Sequence, residues 1–321
     1  MNYNKEHLFC NDLPTIPKPE KGKILVTGAT GYIGGLLIPE LVARGYDVRV
    51  MVRTKNKEMH KKWDGVEIVV ADARDPNQLR VALDKIQTAY YLIHSLMLGQ
   101  SKFELADIEI AQNFRKISEE KGIKRIIYLS GLGNSNTKLS QHLTSRMEVA
   151  TELSKGSVAV TTLRSAIVVG SGSASFKIIM QVVKNSPIIL LPPWAKTKCQ
   201  PIGIKNVIKY LVGIMEYTGS TSKYHDIGGK DVLSYEEMIK IMVDVLGKKR
   251  IFLNVPFSNT SLFGNLTSLF TNVQPSITKC LIEGCKNEVV CCNNNIATIL
   301  NLKPLSYREA VEQAVAKKDI N

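Results

Sequence analysis

The chain has 321 residues, of which 44% are hydrophobic and 22% are charged, a composition that excludes collagen-like, disordered and integral membrane proteins. The 42 Lys and Arg residues exceed the 29 Asp and Glu residues, and the net charge of +13 attracts polyanions such as pyrophosphate or nucleic acid. Because the basic residues are scattered, we expect most of them on solvated faces and expect no nucleic-acid partner.

The predicted elements begin after a polar leader. Residues 1–20 contain three prolines, so we expect them to lie on the surface or to be disordered. From Lys23, short β-branched runs alternate with amphipathic segments, which indicates repeated β-α-β units and an α/β fold of the Rossmann type with a doubly wound parallel sheet. The predicted strands are 23–27, 47–52, 66–70, 88–93, 125–130 and 159–164. The predicted helices between them are 33–44, 76–85, 103–121 and 140–154.

A glycine-rich turn follows the first strand and reads Thr-Gly-Ala-Thr-Gly-Tyr-Ile-Gly at 27–34. Gly28 permits a tight turn, Gly31 lets the backbone approach a pyrophosphate, and Gly34 lets the new helix pack closely. The helix start adds unpaired N–H groups and a positive dipole end. A turn without a ligand is the alternative, and the strand–turn–helix context favours a dinucleotide. The binding residues predicted here are Gly28, Thr30, Gly31, Tyr32, Ile33 and Gly34.

The end of the second predicted strand selects between the two nicotinamide cofactors. NAD-preferring Rossmann proteins carry Asp or Glu there, which accepts hydrogen bonds from the ribose hydroxyls. This chain has Arg53 instead. A guanidinium can hold a 2′-phosphate with a forked contact, so NADP(H) is favoured over NAD(H). The alternative is that Arg53 only faces solvent.

After about Ser165 the alternation weakens, and glycines and prolines break the chain into loops. Helices are predicted at 175–184, 204–217, 234–246 and 307–316, with a short strand at 225–227. We therefore divide the chain into a leader (1–20), an NAD(P)-binding Rossmann domain (21–165) and a C-terminal part (166–321). This last part holds the remaining sheet and helices and a smaller substrate-binding lobe, packed as one unit with the first. The segment 169–200 is predicted to close over a substrate; ordinary packing of an extra helix is the alternative.

Five motifs give the chain a wider resemblance over about 23–316. They are the turn at 27–34, Ala-Asp-Ala-Arg-Asp at 71–75, Tyr-Leu-Ile-His-Ser at 91–95, Tyr-Leu-Ser-Gly-Leu-Gly at 128–133 and Ile-Glu-Gly-Cys-Lys-Asn-Glu-Val-Val at 282–290. With these motifs the chain resembles the short-chain dehydrogenase/reductase superfamily. Within it, the chain is similar to the atypical, NmrA-like, NAD(P)H-binding branch and to bacterial oxidoreductases of uncertain substrate.

The resemblance implies roles for residues at several strand ends. Asp72, with Ala73 beside it, corresponds to the acidic residue that binds the adenine amino group, although capping of a turn or of the next helix is an alternative for Asp72. Ile93, His94 and Ser95 correspond to the strand end along the nicotinamide ribose. Ser130 matches the serine that holds a substrate carbonyl. Tyr128 lies on the same face of its strand as Ser130 and either reaches the site or fills the core.

The chain departs from the superfamily at the acid/base pair, Tyr-x-x-x-Lys on the helix after Ser130. His142 and Arg146 stand at that spacing. Residues four apart share a helix face, so the geometry is kept while the chemistry changes. His142 is the candidate acid/base, Arg146 is expected to contact ribose or phosphate, and its charge is expected to lower the pKa of His142. The alternative is that both residues only bind cofactor or face solvent, without hydride chemistry.

Two functions from different classes remain open. The first is an NADP(H)-dependent oxidoreductase or epimerase-like enzyme that acts on an unidentified carbonyl, alcohol or quinone-like small molecule, with Ser130, His142 and Arg146 as catalytic candidates. The second is a non-catalytic NADP(H) sensor or assembly protein with a protein partner, which the missing tyrosine and lysine favour.

Cysteine usage bears on metal sites and location. The six cysteines are Cys10, Cys199, Cys280, Cys285, Cys291 and Cys292, and no secretory signal precedes them, so we expect reduced thiols and a cytoplasmic protein. The last four are close in sequence, but their spacing matches no zinc template well. We predict no metal site.

Overall fold

A computed structural model describes residues 8–54, 59, 63–94, 103–133, 138–219, 223–293 and 295–316. Its strands are β1 (Lys23–Val26), β2 (Val48–Val52), β3 (Glu67–Val70), β4 (Ile86–Tyr91), β5 (Arg125–Gly131), β6 (Ala159–Ser165), β7 (Val168–Val169), β8 (Ile188–Leu191), β9 (Lys198–Cys199), β10 (Ile202–Gly203), β11 (Lys223–Ile227), β12 (Leu233–Ser234) and β13 (Ile251–Asn254). Its α-helices are α1 (Tyr32–Ala43), α2 (Pro76–Ala82), α3 (Phe103–Glu120), α4 (Gln141–Leu153), α5 (Ala174–Asn185), α6 (Ile204–Glu216), α7 (Tyr235–Val245), α8 (Thr260–Ser268), α9 (Pro275–Gly284), α10 (Asn295–Ile299) and α11 (Tyr307–Ala316).

Seven strands form one central sheet in the order β11-β6-β5-β4-β1-β2-β3. Every pair in this sheet is parallel. The strand order reverses beside β1, and in open α/β sheets a ligand binds at such a switch point, beyond the carboxyl ends of the strands. This is the predicted Rossmann-type doubly wound sheet, and the turn at 27–34 lies at its switch point.

The sheet is covered on both faces, which explains why its central strands are mostly apolar. Tyr90 and Tyr91 are adjacent on β4 and fully buried in different cores. The Tyr90 core includes residues of α1 and α6, and the Tyr91 core includes residues of α2, α3 and α4. The Tyr90 hydroxyl donates to the carbonyl oxygen of Leu211 at 2.9 Å, so the buried polar tip is satisfied.

A smaller lobe with its own core follows β6. It consists of α5, α7, α11 and short strands, with Phe176, Met238 and Val311 buried at its centre. The chain does not leave the large sheet at residue 165, because β11 adds the edge strand beside β6 and α6 packs against α1 in the first core. The two parts therefore interleave along the sequence.

The described part of the leader, from residue 8, packs against α1 and α6. Cys10 and Leu13 are buried, and the backbone N–H groups of Phe9 and Cys10 donate to the carboxylate of Glu40. Lys209 forms an ion pair with Asp12. We expected residues 1–20 to lie on the surface or to be disordered. Residues 8–13 are instead held in place by buried contacts.

Most predicted elements differ from the structure by one or two residues at their ends. α2 ends at Ala82, three residues before the predicted end, and Lys85 adopts a left-handed φ of 59° that interrupts helical geometry. The helices α8, α9 and α10 were not predicted, nor were the short strand pairs β7–β10, β8–β13 and β9–β12. The two-residue strands are too short to show an alternation, and the four-residue β8 and β13 lie outside the regular succession of strands and helices that predicted β1 and β3. Among the described residues, no helix is both long and apolar enough to cross a membrane.

Candidate functional site

The glycine-rich turn between β1 and α1 has a backbone geometry that only glycine allows. Gly28 has a φ of 62°, and a Cβ atom there would clash with the carbonyl oxygen of Leu92. A Cβ atom on Gly34 would lie 2.5 Å from the carbonyl oxygen of Gly28, so α1 packs directly on the turn. Side chains at these two positions would push β1, α1 and the segment after β4 apart.

The first turn of α1 offers unneutralised N–H groups to a cleft. Gly31 is the N-cap and supplies no side chain to these groups, and the first turn contains no acidic residue. A Cβ atom on Gly31 would approach only the carbonyl oxygen of Gly28, at 3.1 Å, so the space above the turn is open. Orphan N–H groups and a positive dipole end fit an anion such as a pyrophosphate. The turn residues lining the cleft are Gly28, Gly31, Tyr32, Ile33 and Gly34; Thr30 is exposed and is not among them.

Arg53, Asp72 and Ala73 lie beyond the turn, at the ends of β2 and β3. Arg53 is exposed and has no hydrogen-bond or ion-pair partner within the described ranges. Asp72 accepts from the backbone N–H of Arg74 at 2.9 Å and pairs with its guanidinium at 2.5 Å. The Arg74 hydrogen bond lowers the pKa of Asp72, and the charge of Arg53 lowers it further, which places Arg53 near this carboxylate.

Asp72 does not cap the next helix, which was one alternative to a role in binding adenine; another residue has that position. Asp75 is the N-cap of α2 and accepts from the N–H groups of Asn77 and Gln78. Asp72 instead closes the turn before it, through its bond to Arg74. Ala73 is buried in the core on the α2 side of the sheet.

The candidates after β4, β5 and in α4 converge on the cleft that the glycine turn lines. The cleft measures about 650 Å³, and His94, Ser130, His142 and Arg146 all line it. Ile93 packs against the core on the other side and does not line the cleft, whereas Leu92 does. Ser95 lies outside the described residues. Side chains alternate between the two faces of an extended chain. Ile93 therefore lies on the same side of the sheet as Tyr91, and Leu92 lies on the side of the cleft.

Ser130 connects β5 to α4. Its hydroxyl donates to the carbonyl oxygen of Arg146 at 3.2 Å, and the Tyr128 hydroxyl donates to the same oxygen at 3.3 Å. Tyr128 is fully buried and meets Tyr91 edge to face, so it belongs to the core. To donate to a ligand, Ser130 has to release its bond to Arg146, although its oxygen can still accept.

His142 and Arg146 lie one turn apart on α4, and the imidazole is neutral near pH 7. Burial lowers the pKa of His142 to about 3, with the charge of Arg146 acting in the same direction. Burial in the cleft also lowers the pKa of His94, again with contributions from Arg146 and His142, although water still reaches that ring and screens the effect. A neutral imidazole donates one hydrogen bond and accepts another, but it does not carry the additional proton with which an imidazolium acts as a general acid.

The opposite end of the cleft is apolar. It is walled by side chains of α5, α9 and the segment after α9, namely Ile178, Ile179, Ile277, Leu281, Ile282 and Val289. Tyr235 and Cys285 also line it, and the Tyr235 hydroxyl is hydrogen-bonded to the thiols of Cys199 and Cys285. Burial raises the pKa of Cys285 to about 12, so this thiol is not ionised at neutral pH.

The segment 169–200 contributes part of this wall but not all of the predicted pocket. The ring of Tyr32 lies against Gly170 and Gly172, where any Cβ atom would clash with it. Gly172 and Ser173 line the cleft. Phe176 is buried in the lobe core, and Trp194 meets Phe263 edge to face away from the lining residues. The side chains from α9 were missed, although Pro275 at a helix start followed by Ile277, Leu281 and Ile282 was a readable signal.

Within the described ranges, no three His, Cys, Asp or Glu side chains come close enough together to hold a metal ion. Cys280 is buried and Cys292 is exposed, so the four C-terminal cysteines occupy unlike surroundings.

Comparisons with known proteins agree on the fold. A model of the NmrA-like family matches residues 20–280. The NADH dehydrogenase [ubiquinone] 1 alpha subcomplex subunit 9 of Arabidopsis thaliana mitochondria is 27% identical over 240 residues, which are 72% of this chain and 60% of that protein. The chain thus spans about three fifths of this relative's length.

Two solved structures superpose over nearly the whole chain. A nucleoside-diphosphate-sugar epimerase of Staphylococcus aureus has a TM-score of 0.74 at 15% identity, covering 90% of this chain and 99% of that one. The triphenylmethane reductase of Citrobacter sp., complexed with NADP(H), has a TM-score of 0.73 at 20% identity, covering 91% and 99%. At these identities the likeness concerns the fold.

Proposed function

This chain belongs to the NmrA-like family, and from that premise we propose that it binds NADP(H) and reduces an apolar small molecule that carries a carbonyl or an equivalent acceptor. The observation that carries the proposal is the shared cleft: the glycine turn, the polar side chains of Ser130, His142 and Arg146 and the apolar wall all line one space of about 650 Å³. The Citrobacter neighbour, a reductase complexed with NADP(H), supports the same assignment.

The cofactor residues fit the dinucleotide at three points. The first turn of α1 receives the pyrophosphate on its free N–H groups, because Gly31 leaves the space above it open. Arg53 receives the 2′-phosphate, since its guanidinium is exposed and unpaired within the described ranges. Asp72 stands next to Arg53 and accepts from the adenine amino group with the lone pairs that Arg74 leaves free.

When bound, the nicotinamide supplies a hydride to the acceptor. Arg146 and the neutral His142 face the cleft and donate hydrogen bonds to the oxygen on which negative charge develops. Ser130 orients α4 through the carbonyl of Arg146, and so positions both side chains. Because His142 is neutral, the proton that completes the reduction comes from water. The apolar wall excludes the rest of the solvent from the acceptor.

The test combines binding with turnover. NADPH, NADP⁺, NADH and NAD⁺ are titrated into the full chain by calorimetry, and NADPH consumption is followed by absorbance with a panel of quinones, aldehydes and ketones. We expect NADPH to bind and to be consumed with at least one apolar acceptor. Replacing Arg53 by Gln removes the preference for NADPH, whereas the same change at the solvent-facing Lys248 leaves it intact. Tight binding without turnover on any acceptor contradicts the enzyme proposal for that panel.

The second candidate, a non-catalytic NADP(H)-binding sensor or assembly protein, is favoured by two observations. Tyrosine and lysine are absent from the expected acid/base positions, and the Arabidopsis relative is named as a subunit of a larger dehydrogenase. A redox sensor requires different affinities for NADPH and NADP⁺. Equal affinities in the calorimetric titration, together with turnover, eliminate this candidate.

A further inference from the structure

The cleft has an unusual balance of charge. Of the described residues that line it, none is Asp or Glu, and Arg146 is the one side chain with a permanent charge. The remaining polar groups are hydroxyls, a thiol and the imidazoles of His94 and His142. A cleft of this composition leaves a positive charge without a carboxylate to neutralise it.

Arg146 differs from the other arginines that are at least partly buried. Its backbone carbonyl accepts from Ser130 and Tyr128, but its guanidinium has no hydrogen-bond or ion-pair partner among the residues the structure describes. Each comparable arginine donates to a carboxylate, hydroxyl or carbonyl; these are Arg44, Arg49, Arg80, Arg115, Arg125, Arg164 and Arg250. A partly buried charge without a partner is unfavourable, and a bound anion removes that cost.

The two imidazoles extend the same anion-binding surface. Both rings lie close enough to Arg146 for its charge to lower their pKa values, and both are neutral at pH 7. Each neutral ring keeps one N–H donor. A carboxylate placed beside Arg146 can therefore accept from the guanidinium and from an imidazole without meeting a negative charge from the described lining.

The wall facing this polar end is aliphatic. Ile178 and Ile179 come from α5, and Ile277, Leu281 and Ile282 come from α9. Such a wall recognises a carbon skeleton by burial and cannot satisfy a sugar or a nucleotide, whose hydroxyls would be left without partners. The polar and apolar ends together define a ligand with two unlike parts.

We propose that the substrate is an apolar acid, a molecule with an aromatic or aliphatic body against the α5–α9 wall and one carboxylate on Arg146. This inference rests on the proposed function for its reaction. It commits Arg146 to the carboxylate of the substrate instead of the cofactor, and it leaves the N–H donor of His142 for the acceptor oxygen. The reaction class that supplies such a substrate leaves an acidic group on a hydrophobic skeleton, such as oxidation of a methyl or aldehyde carbon to a carboxylate.

The test compares two ligands of the same shape. N-phenyl-1-naphthylamine, an uncharged dye that fluoresces in apolar sites, is bound to the full chain in the presence of NADP⁺ and then displaced. The competitors are 2-naphthoate and 2-naphthamide, which share a body and differ in the charged group. We expect the acid to displace the dye at a roughly tenfold lower concentration than the amide, the factor that one charge-assisted hydrogen bond provides.

The variant arms assign that difference to a residue. Arg146→Gln abolishes the preference for the acid and keeps dye binding, and Arg146→Lys keeps most of the preference. Arg80→Gln leaves the preference unaltered, because this matched arginine pairs with Glu120 and does not line the cleft. Equal displacement by acid and amide in the unmodified chain overturns the proposal without any variant. So does an Arg146→Gln chain that loses NADPH affinity but still prefers the acid, since Arg146 then serves the cofactor.

The same experiment without NADP⁺ separates this inference from the proposed function. If the chain prefers the acid but binds no NADPH, the apolar-acid site is supported and the proposed reductase function is contradicted. If the chain binds NADPH tightly and turns it over but shows no preference for the acid, the proposed reductase function is supported and the apolar-acid site is contradicted.

Discussion

The two ends of the cleft are built in different ways. The proposed dinucleotide end consists of backbone: a turn whose Gly28 and Gly34 admit no side chain, and a helix start without a capping side chain. The proposed substrate end consists of side chains from α5, α7, α9 and the segment after α9, which are distant in sequence. Backbone geometry constrains the residue type at each position, whereas an apolar wall accepts many combinations. Cofactor binding is therefore expected to be sensitive to single substitutions that substrate binding tolerates.

The largest effect is expected at Gly28, for which Gly122 provides a matched control. Both have a left-handed φ, 62° and 67°, but a Cβ atom meets the Leu92 carbonyl at Gly28 and nothing within 4 Å at Gly122. Gly122→Ala introduces only backbone strain, about 1–2 kcal/mol of unfolding free energy. Gly28→Ala adds an overlap and is expected to lower NADPH affinity by about 100-fold. Equal losses of affinity in the two variants would show that the close approach is unimportant.

Arg53→Gln is expected to have the next largest effect and to act on one cofactor alone. Removing the guanidinium removes a charge-assisted contact to the 2′-phosphate, so NADPH affinity falls roughly 10- to 100-fold while NADH affinity is unchanged. Calorimetric titration of both cofactors measures the two changes. A parallel loss for NADH would mean that Arg53 supports the local structure instead of the phosphate.

A substitution in the apolar wall should reverse the pattern. Leu281 lines the substrate end, and Leu281→Gln replaces its apolar surface with an amide that has no partner there. We expect roughly tenfold weaker binding of N-phenyl-1-naphthylamine and unchanged binding of NADPH. If NADPH affinity falls by the same factor, the two ends of the cleft are not independent.

The effect that is smallest at neutral pH is a contribution of His142 to stability, which becomes visible only as the pH falls. The folded chain holds the pKa of this imidazole at about 3, below the ordinary value of 6.5. As the pH falls from 6.5 towards 3, His142 becomes protonated in the unfolded chain but stays neutral in the folded chain. The free energy of unfolding therefore decreases. His142→Gln removes this contribution, and the difference between variant and unmodified chain in chemical denaturation should grow as the pH falls. A difference independent of pH would place His142 in a more solvated setting.

The contrast between the two ends also explains what sequence could predict. The glycine turn and the order of β-α-β units follow from short-range patterns, whereas the choice of Ser130, His142 and Arg146 follows from the resemblance to the short-chain dehydrogenase/reductase superfamily. Leu92 was not predicted because it lies just beyond the end of β4, where the resemblance implied Ile93, His94 and Ser95. The sequence around Pro275 signals the helix α9 itself, but no local pattern reveals that residues 277–282 pack near α5, which is distant in sequence. The pairing of Asp72 with Arg74 likewise depends on side-chain positions that spacing does not determine.

The central claim is that the turn at 27–34 and Arg53 form an NADP(H) site. Calorimetric titration of the full chain with NADPH and, separately, with NADH tests it most directly. We predict one NADPH bound per chain, at least about tenfold more tightly than NADH, which is the contribution of one charge-assisted contact. Absence of NADPH binding, or equal affinity for the two cofactors, would contradict the claim.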